Sequence, residues 1–149
     1  MDLRWNMDPV EATSEGAAEY DARYGNFTTA DVRAHLAALR SISGSLEECD
    51  TGALDEEIDR SALLGDIRVR VNRFKSEQPH VRNPAFWLGH ALEGLYLLLV
   101  SPGRNPEQRR TAAHSRLRDL GRFFGDARET LTDCPRVFVE TALEVADGA

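Results

Sequence analysis

Apolar residues recur along this chain at spacings of three and four, never in the strict alternation of a half-buried strand. Val32, Leu36, Leu39 and Ile42 form one stripe, and Leu54, Ile58, Leu63 or Leu64, Ile67, Val71 and Phe74 form another. That period belongs to the α-helix and leaves no room for a sheet. Val69-Arg70-Val71 alternates, but it lies inside the second helical stripe. From Phe86 to Leu99 apolar residues occupy almost every face. This predicts a central helix with Phe86, Leu95 and Leu98 in the core. Ala113, Leu117, Leu120 and Phe124 mark a fourth helix, with Gly121 and Gly125 as points of bending or close approach. Val137, Phe138, Ala142 and Val145 mark a fifth.

The boundaries carry their own signals. Thr28 precedes Asp31 by three, a relative of the capping box, and Ser43-Gly44 closes the first helix. Gly52 precedes an acidic first turn, Asp55-Glu56-Glu57, that suits the positive end of a helix dipole. Pro79 ends the second helix, and Asn83-Pro84 opens the third with proline at its first position. Ser101-Pro102-Gly103-Arg104-Asn105-Pro106 is a turn, and Pro135 starts the last helix. Residues 1–27 read as an irregular acidic lead-in anchored by Trp5, Tyr20, Tyr24 and Phe27. The expectation is a single all-α domain over residues 1–149, with about five helices. A chain of this length buries roughly 70% of the surface it exposes unfolded.

Composition narrows the function. Lys and Arg against Asp and Glu give 18 − 25 = −7, which argues against a nucleic-acid grip. Residues 1–60 hold 14 acids and 5 bases, while the remainder holds 11 and 13. The acidic half can therefore attract the basic one, or a cationic partner. Lys75 is the only lysine. The most apolar stretch, Ala85 to Val100, is broken by His90 and Glu93 and falls short of the roughly 20 residues of a bilayer crossing. No apolar signal region opens the sequence. Cys49 and Cys134, far apart, support neither a zinc ribbon nor a redox pair. A cytoplasmic protein with free thiols, away from membranes, is the expectation.

His35, His80, His90 and His114 are the four histidines, and none belongs to an H-E-x-x-H pattern. His90 and Glu93 are three apart and share one side of the central helix. They are the candidate catalytic pair, with Arg82 as the candidate ligand-binding residue. Two side chains fall short of the three that zinc ordinarily takes from protein, so neither metal nor cofactor is expected and a structural role outweighs a catalytic one. Arg109, Arg110, Arg116 and Arg118 offer a carboxylate or phosphate contact, against the simpler reading of a solvated helical face. There is no G-x-S-x-G elbow, Walker loop or G-x-G-x-x-G fingerprint.

Several segments occur in an order that resembles the amino-terminal region of the bacterial family called domain of unknown function 885. They begin with Asp8-Pro9-Val10-Glu11-Ala12-Thr13, Gly16 and Tyr20-Asp21-Ala22-Arg23-Tyr24. Leu54 to Leu64 follows, and then the most specific segment, Arg82-Asn83-Pro84-Ala85-Phe86-Trp87-Leu88, running into Glu93 to Leu99. Arg116 to Leu120, Ala127 to Leu131 and Val137 to Ala142 complete the series. The resemblance implies a largely helical, zinc-peptidase-like protein whose H-E-x-x-H helix lies in a later part. No ligand of that metal maps onto a residue here, and Leu120-Gly121 stands where the family tends to have Ile-Pro. The expected role is a non-catalytic amino-terminal part, truncated relative to the family, whose helices wall a substrate cleft. Two alternatives stay open: an interaction module pairing with a separate carboxyl-terminal half or with itself as a homodimer, and a small hydrolase or ligand-binding domain using His90 and Glu93.

Overall fold

Asn83 and Pro84 start the helix around which the others gather. The Asn83 side chain accepts from the Ala85 amide at 3.0 Å, and Pro84 supplies the first helical position. The computed structural model describes residues 2–101 and 103–148; Met1, Pro102 of the expected turn, and Ala149 lie outside them. In chain order the helices are α1 (Asp2–Met7), α2 (Pro9–Ser14), α3 (Thr29–Glu48), α4 (Leu54–Asn72), α5 (Pro79–Arg82), α6 (Pro84–Val100), α7 (Pro106–Thr130) and α8 (Arg136–Asp147). A short 3-10 turn covers Ala18–Tyr20, and a π turn, Arg73–Glu77, continues α4. The domain is all-α, with five long helices and no strand among the described residues.

The lead-in is irregular only in part: α1, α2 and the 3-10 turn occupy most of residues 2–20, while residues 21–27 follow without regular secondary structure. Asp8 caps α2, its Oδ1 accepting from the Glu11 amide at 3.1 Å, and Pro9 follows at the first position. These helices are too short for an apolar period to register, so the sequence reads as loop. The expected anchors do enter the core. Tyr24 stacks on Phe123 with ring centroids 4.8 Å apart, and its hydroxyl donates to the Ala91 carbonyl at 2.8 Å. Phe27 packs edge-on against Phe86 and Trp87. Gly94 lets this segment close on α6, because a Cβ there would meet the Tyr24 ring at 2.6 Å.

Three stripes differ from expectation. α3 runs through Ser43-Gly44 to Glu48, and Ile42 is exposed although Val32, Leu36 and Leu39 are buried. On α4 only Leu64, Ile67 and the following Phe74 are buried, while Leu54 is 75% exposed and Ile58 and Leu63 lie open. The far ends of α3 and α4 therefore project as a hairpin beyond the core. On α7 the buried face is Ala112, Arg116, Phe123, Ala127 and Thr130, a rotation away from the expected stripe of Ala113, Leu117, Leu120 and Phe124. Leu120 touches the core, while Leu117 and Phe124 are exposed. α7 is continuous through Gly121 and Gly125, and nothing approaches either glycine. In α6, Phe86 and Leu98 are buried and Leu95 is only half-buried, because no helix covers that side fully.

Arg116 causes the rotation of α7. It is 0% exposed, so it lies on the inner face and not in the solvated arginine run. Its guanidinium donates to the Arg23 carbonyl at 3.3 Å, the Pro9 carbonyl at 3.3 Å, the Thr13 hydroxyl at 2.6 Å and the Gly94 carbonyl. Four acceptors from three parts of the chain converge on one cation, which also lies over the Tyr24 ring. Arg116→Ala should destabilise the fold by about 3–5 kcal/mol, through acceptors stranded in the core and a cavity. Arg118→Ala, one helical face away and exposed, should stay within about 0.5 kcal/mol. Denaturant unfolding of the two variants checks the contrast.

Candidate functional site

His90 lies on α6, but its partner is Asp8 and not Glu93. Its Nε2 lies 3.1 Å from Asp8 Oδ2, and its Nδ1 lies 3.0 Å from the Phe86 carbonyl one turn earlier. Glu93 is exposed, and Arg82, half-buried at the end of α5, makes no side-chain hydrogen bond or ion pair with either. The predicted trio is therefore not assembled. The Asp8 partnership spans 82 residues, and nothing in the local spacing announces it.

Both acceptors ask for an N–H, and an imidazole carries two only when protonated. Burial opposes the charge on His90, yet the Asp8 hydrogen bond and charge, with the Phe86 carbonyl, outweigh it and hold the pKa above its ordinary value. Burial likewise opposes ionisation of Asp8, and the His90 contact and Glu11 amide overcome it, so the carboxyl is held low. Arg73 adds a positive charge to this surrounding and tempers His90. The result is a latch between α6 and the cap of α2, with both ring nitrogens occupied.

A second buried pair sets the other end of the lead-in. Arg104 donates to Asp21 twice, at 2.5 and 2.9 Å, and both side chains are nearly fully buried. Glu11 receives Arg4 at 2.6 Å and Arg70 at 3.1 Å. The acidic amino-terminal segment is thus held partly by the bases of the later chain. Of the arginine run, Arg109 closes α6 by donating to the Leu99 and Ser101 carbonyls, and Arg110 pairs with Glu107. With Arg116 in the core, the four arginines form no common site.

Cys49 and Cys134 are free. Among the described residues no three His, Cys, Asp or Glu side chains come together as a metal group, and no helix is long and apolar enough to cross a membrane. An apolar surface runs over α8 and α6. α8 packs on α6 yet contains no buried residue: Val137 and Leu143 are 61% and 60% exposed, and Phe138, Val139 and Val145 are also open. Leu92, Tyr96, Leu99 and Val100 extend exposed apolar surface along α6. Compared with models of protein families, with curated proteins and with solved structures, the chain gives no match.

The latch has a pH window. His90, raised above its unfolded value of about 6.5, contributes stability that is complete below that value and is lost as pH rises through the raised one. Asp8, held below its unfolded value of about 3.9, contributes above that value and loses it as pH falls through the lowered one. His90→Gln should cost about 1–3 kcal/mol near pH 5.5 and clearly less near pH 9. Urea unfolding of both proteins at the two pH values checks this; equal losses would contradict the charged latch.

Proposed function

We propose that this chain is a non-catalytic helical domain that docks apolar protein surface on its α6–α8 face. The carrying observation is α8 itself, a two-sided helix without one buried residue. Exposed apolar patches beyond a few hundred Å² are uncommon on soluble monomers and mark interaction surfaces. The resemblance to the amino-terminal part of domain of unknown function 885 adds the setting: a peptidase-like protein whose H-E-x-x-H helix lies elsewhere. The docked surface is then a separate catalytic half or a second copy of this chain. His90 supports this reading over a small hydrolase, because its two nitrogens are engaged in holding α2 and neither is free to move a proton for a substrate.

The test pairs α8 with the core. Leu143→Asp and Val137→Asp should leave the dilute protein folded, each changing stability by about 0.5 kcal/mol or less, and should disperse any assembly seen by sedimentation. Leu98→Ala, on the buried side of α6, should cost about 2–5 kcal/mol. Peptide hydrolysis, with zinc added, should be absent. Unfolding by the α8 substitutions, or hydrolysis that His90→Ala abolishes, would contradict the proposal.

A further inference from the structure

The cleft between α3 and the end of α4 is walled by cations that no side chain among the described residues pairs with. One cavity, about 220 Å³, lies between Arg33 and Arg40 of α3 and Lys75 of the π turn, over a floor that includes Leu36 and Phe74. A second, about 460 Å³, shares Arg40 and Lys75 as a wall and adds Arg68. No carboxylate lines either cavity. That is unexpected on a chain with 25 acids and 18 bases. Arg110 and Arg136, also exposed, are tied to Glu107 and Glu140, whereas Arg118 and Arg128 stand unpaired but singly on the surface of α7. Among the described residues, the side chains of Arg33, Arg40, Arg68 and Lys75 make no hydrogen bond or ion pair. Like charges gathered without a counter-charge repel, and an anion in the cleft reverses the sign of that interaction.

The backbone departs from regular geometry where it delivers the only lysine. Arg73–Glu77 form a π turn, and Gln78 follows with φ 49° and ψ 50°, in the left-handed region. π turns and left-handed non-glycine residues concentrate at functional sites. His80, in the same wall, is 3% exposed, and its Nδ1 has no hydrogen-bond partner. Burial holds its pKa below the ordinary value, so at neutral pH the attraction comes from the four cations. The floor is apolar, and the rim also carries the Thr29 and Ser43 hydroxyls.

We propose that this cleft binds a small organic anion with an apolar body: a carboxylate or phosphate monoester head held by Arg40 and Lys75 with Arg33 or Arg68 beside it, and a hydrocarbon part over Leu36 and Phe74. Arg40 and Lys75 are shared by both cavities and can reach a head group from either side. The site is separate from the α6–α8 face and does not depend on docking there.

Calorimetric titration of the full chain tests the proposal with octanoate, octyl phosphate, inorganic phosphate and octyltrimethylammonium. One of the two octyl anions should bind with a dissociation constant of about 10–500 μM, and the preferred head group identifies carboxylate or phosphate as the source. Inorganic phosphate should bind at least about tenfold more weakly, for want of the apolar part. The double variant Arg40→Gln, Lys75→Gln should lose about tenfold or more in affinity while keeping its helical circular dichroism. Arg118→Gln, on α7, should bind as the parent does. No binding of either octyl anion at millimolar concentration, equal binding of the cationic analogue, or a folded double variant with unchanged affinity would each overturn the proposal.

Discussion

A buried cation whose hydrogen bonds all go to carbonyls and a hydroxyl, none to a carboxylate, ties this domain together. Arg116 enters the core from α7 and ends on the carbonyls of Pro9, Arg23 and Gly94 and the hydroxyl of Thr13. Burial presses its pKa down from the ordinary guanidinium value, but the group begins so high that it stays charged. An arginine suits this place because its five donors spread in a fixed plane and reach several acceptors at once. Those acceptors belong to α2, to the irregular stretch before Tyr24, and to α6. Fixing them to one side chain fixes how the amino-terminal segment wraps the α6–α7 pair.

The rest of the arrangement builds on that wrap. Asp8 can reach His90 only with α2 seated, and Asp21 can reach Arg104 only where the chain leaves the 3-10 turn. Tyr24 and Phe27 then fill the space between Phe86, Trp87 and Phe123. The segment acts as a core element, although its own helices are only six residues long. α8 stands at the opposite extreme, long and two-sided but packed chiefly on α6. What the molecule offers outward is therefore an apolar face on α6–α8 and a cationic cleft between α3 and α4.

Helical periodicity made the five long helices legible, because tertiary packing chose the face and not the existence of each element. The starts were readable at Thr28 and Asn83, whose side chains accept from an amide three and two residues on, while the Asn105 cap of α7 lay unread inside a turn. The rotation of α7 was not readable. A charged residue is assigned to solvent by any pattern argument, and only long-range acceptors reveal that Arg116 points inward. His90 stood out with Glu93 as a break in an apolar run, and spacing offered Glu93 as its partner, while the fold supplied Asp8. Arg40 and Lys75 carried no local motif; the cleft emerges only when α3 and α4 lie side by side. The outer halves of α3 and α4 show the reverse error, since Ile42, Leu54 and Ile58 match the period yet remain exposed.

The central claim is that residues 9–27 belong to the cooperative core and α8 does not. Native-state hydrogen exchange, followed amide by amide at low denaturant, tests it most directly. Thr13, Tyr24 and the buried turns of α6 and α7 should exchange together at the free energy of global unfolding, while α8 opens at a distinctly lower one. Amides of α8 as protected as those of α6, or residues 9–27 exchanging through local fraying, would contradict it.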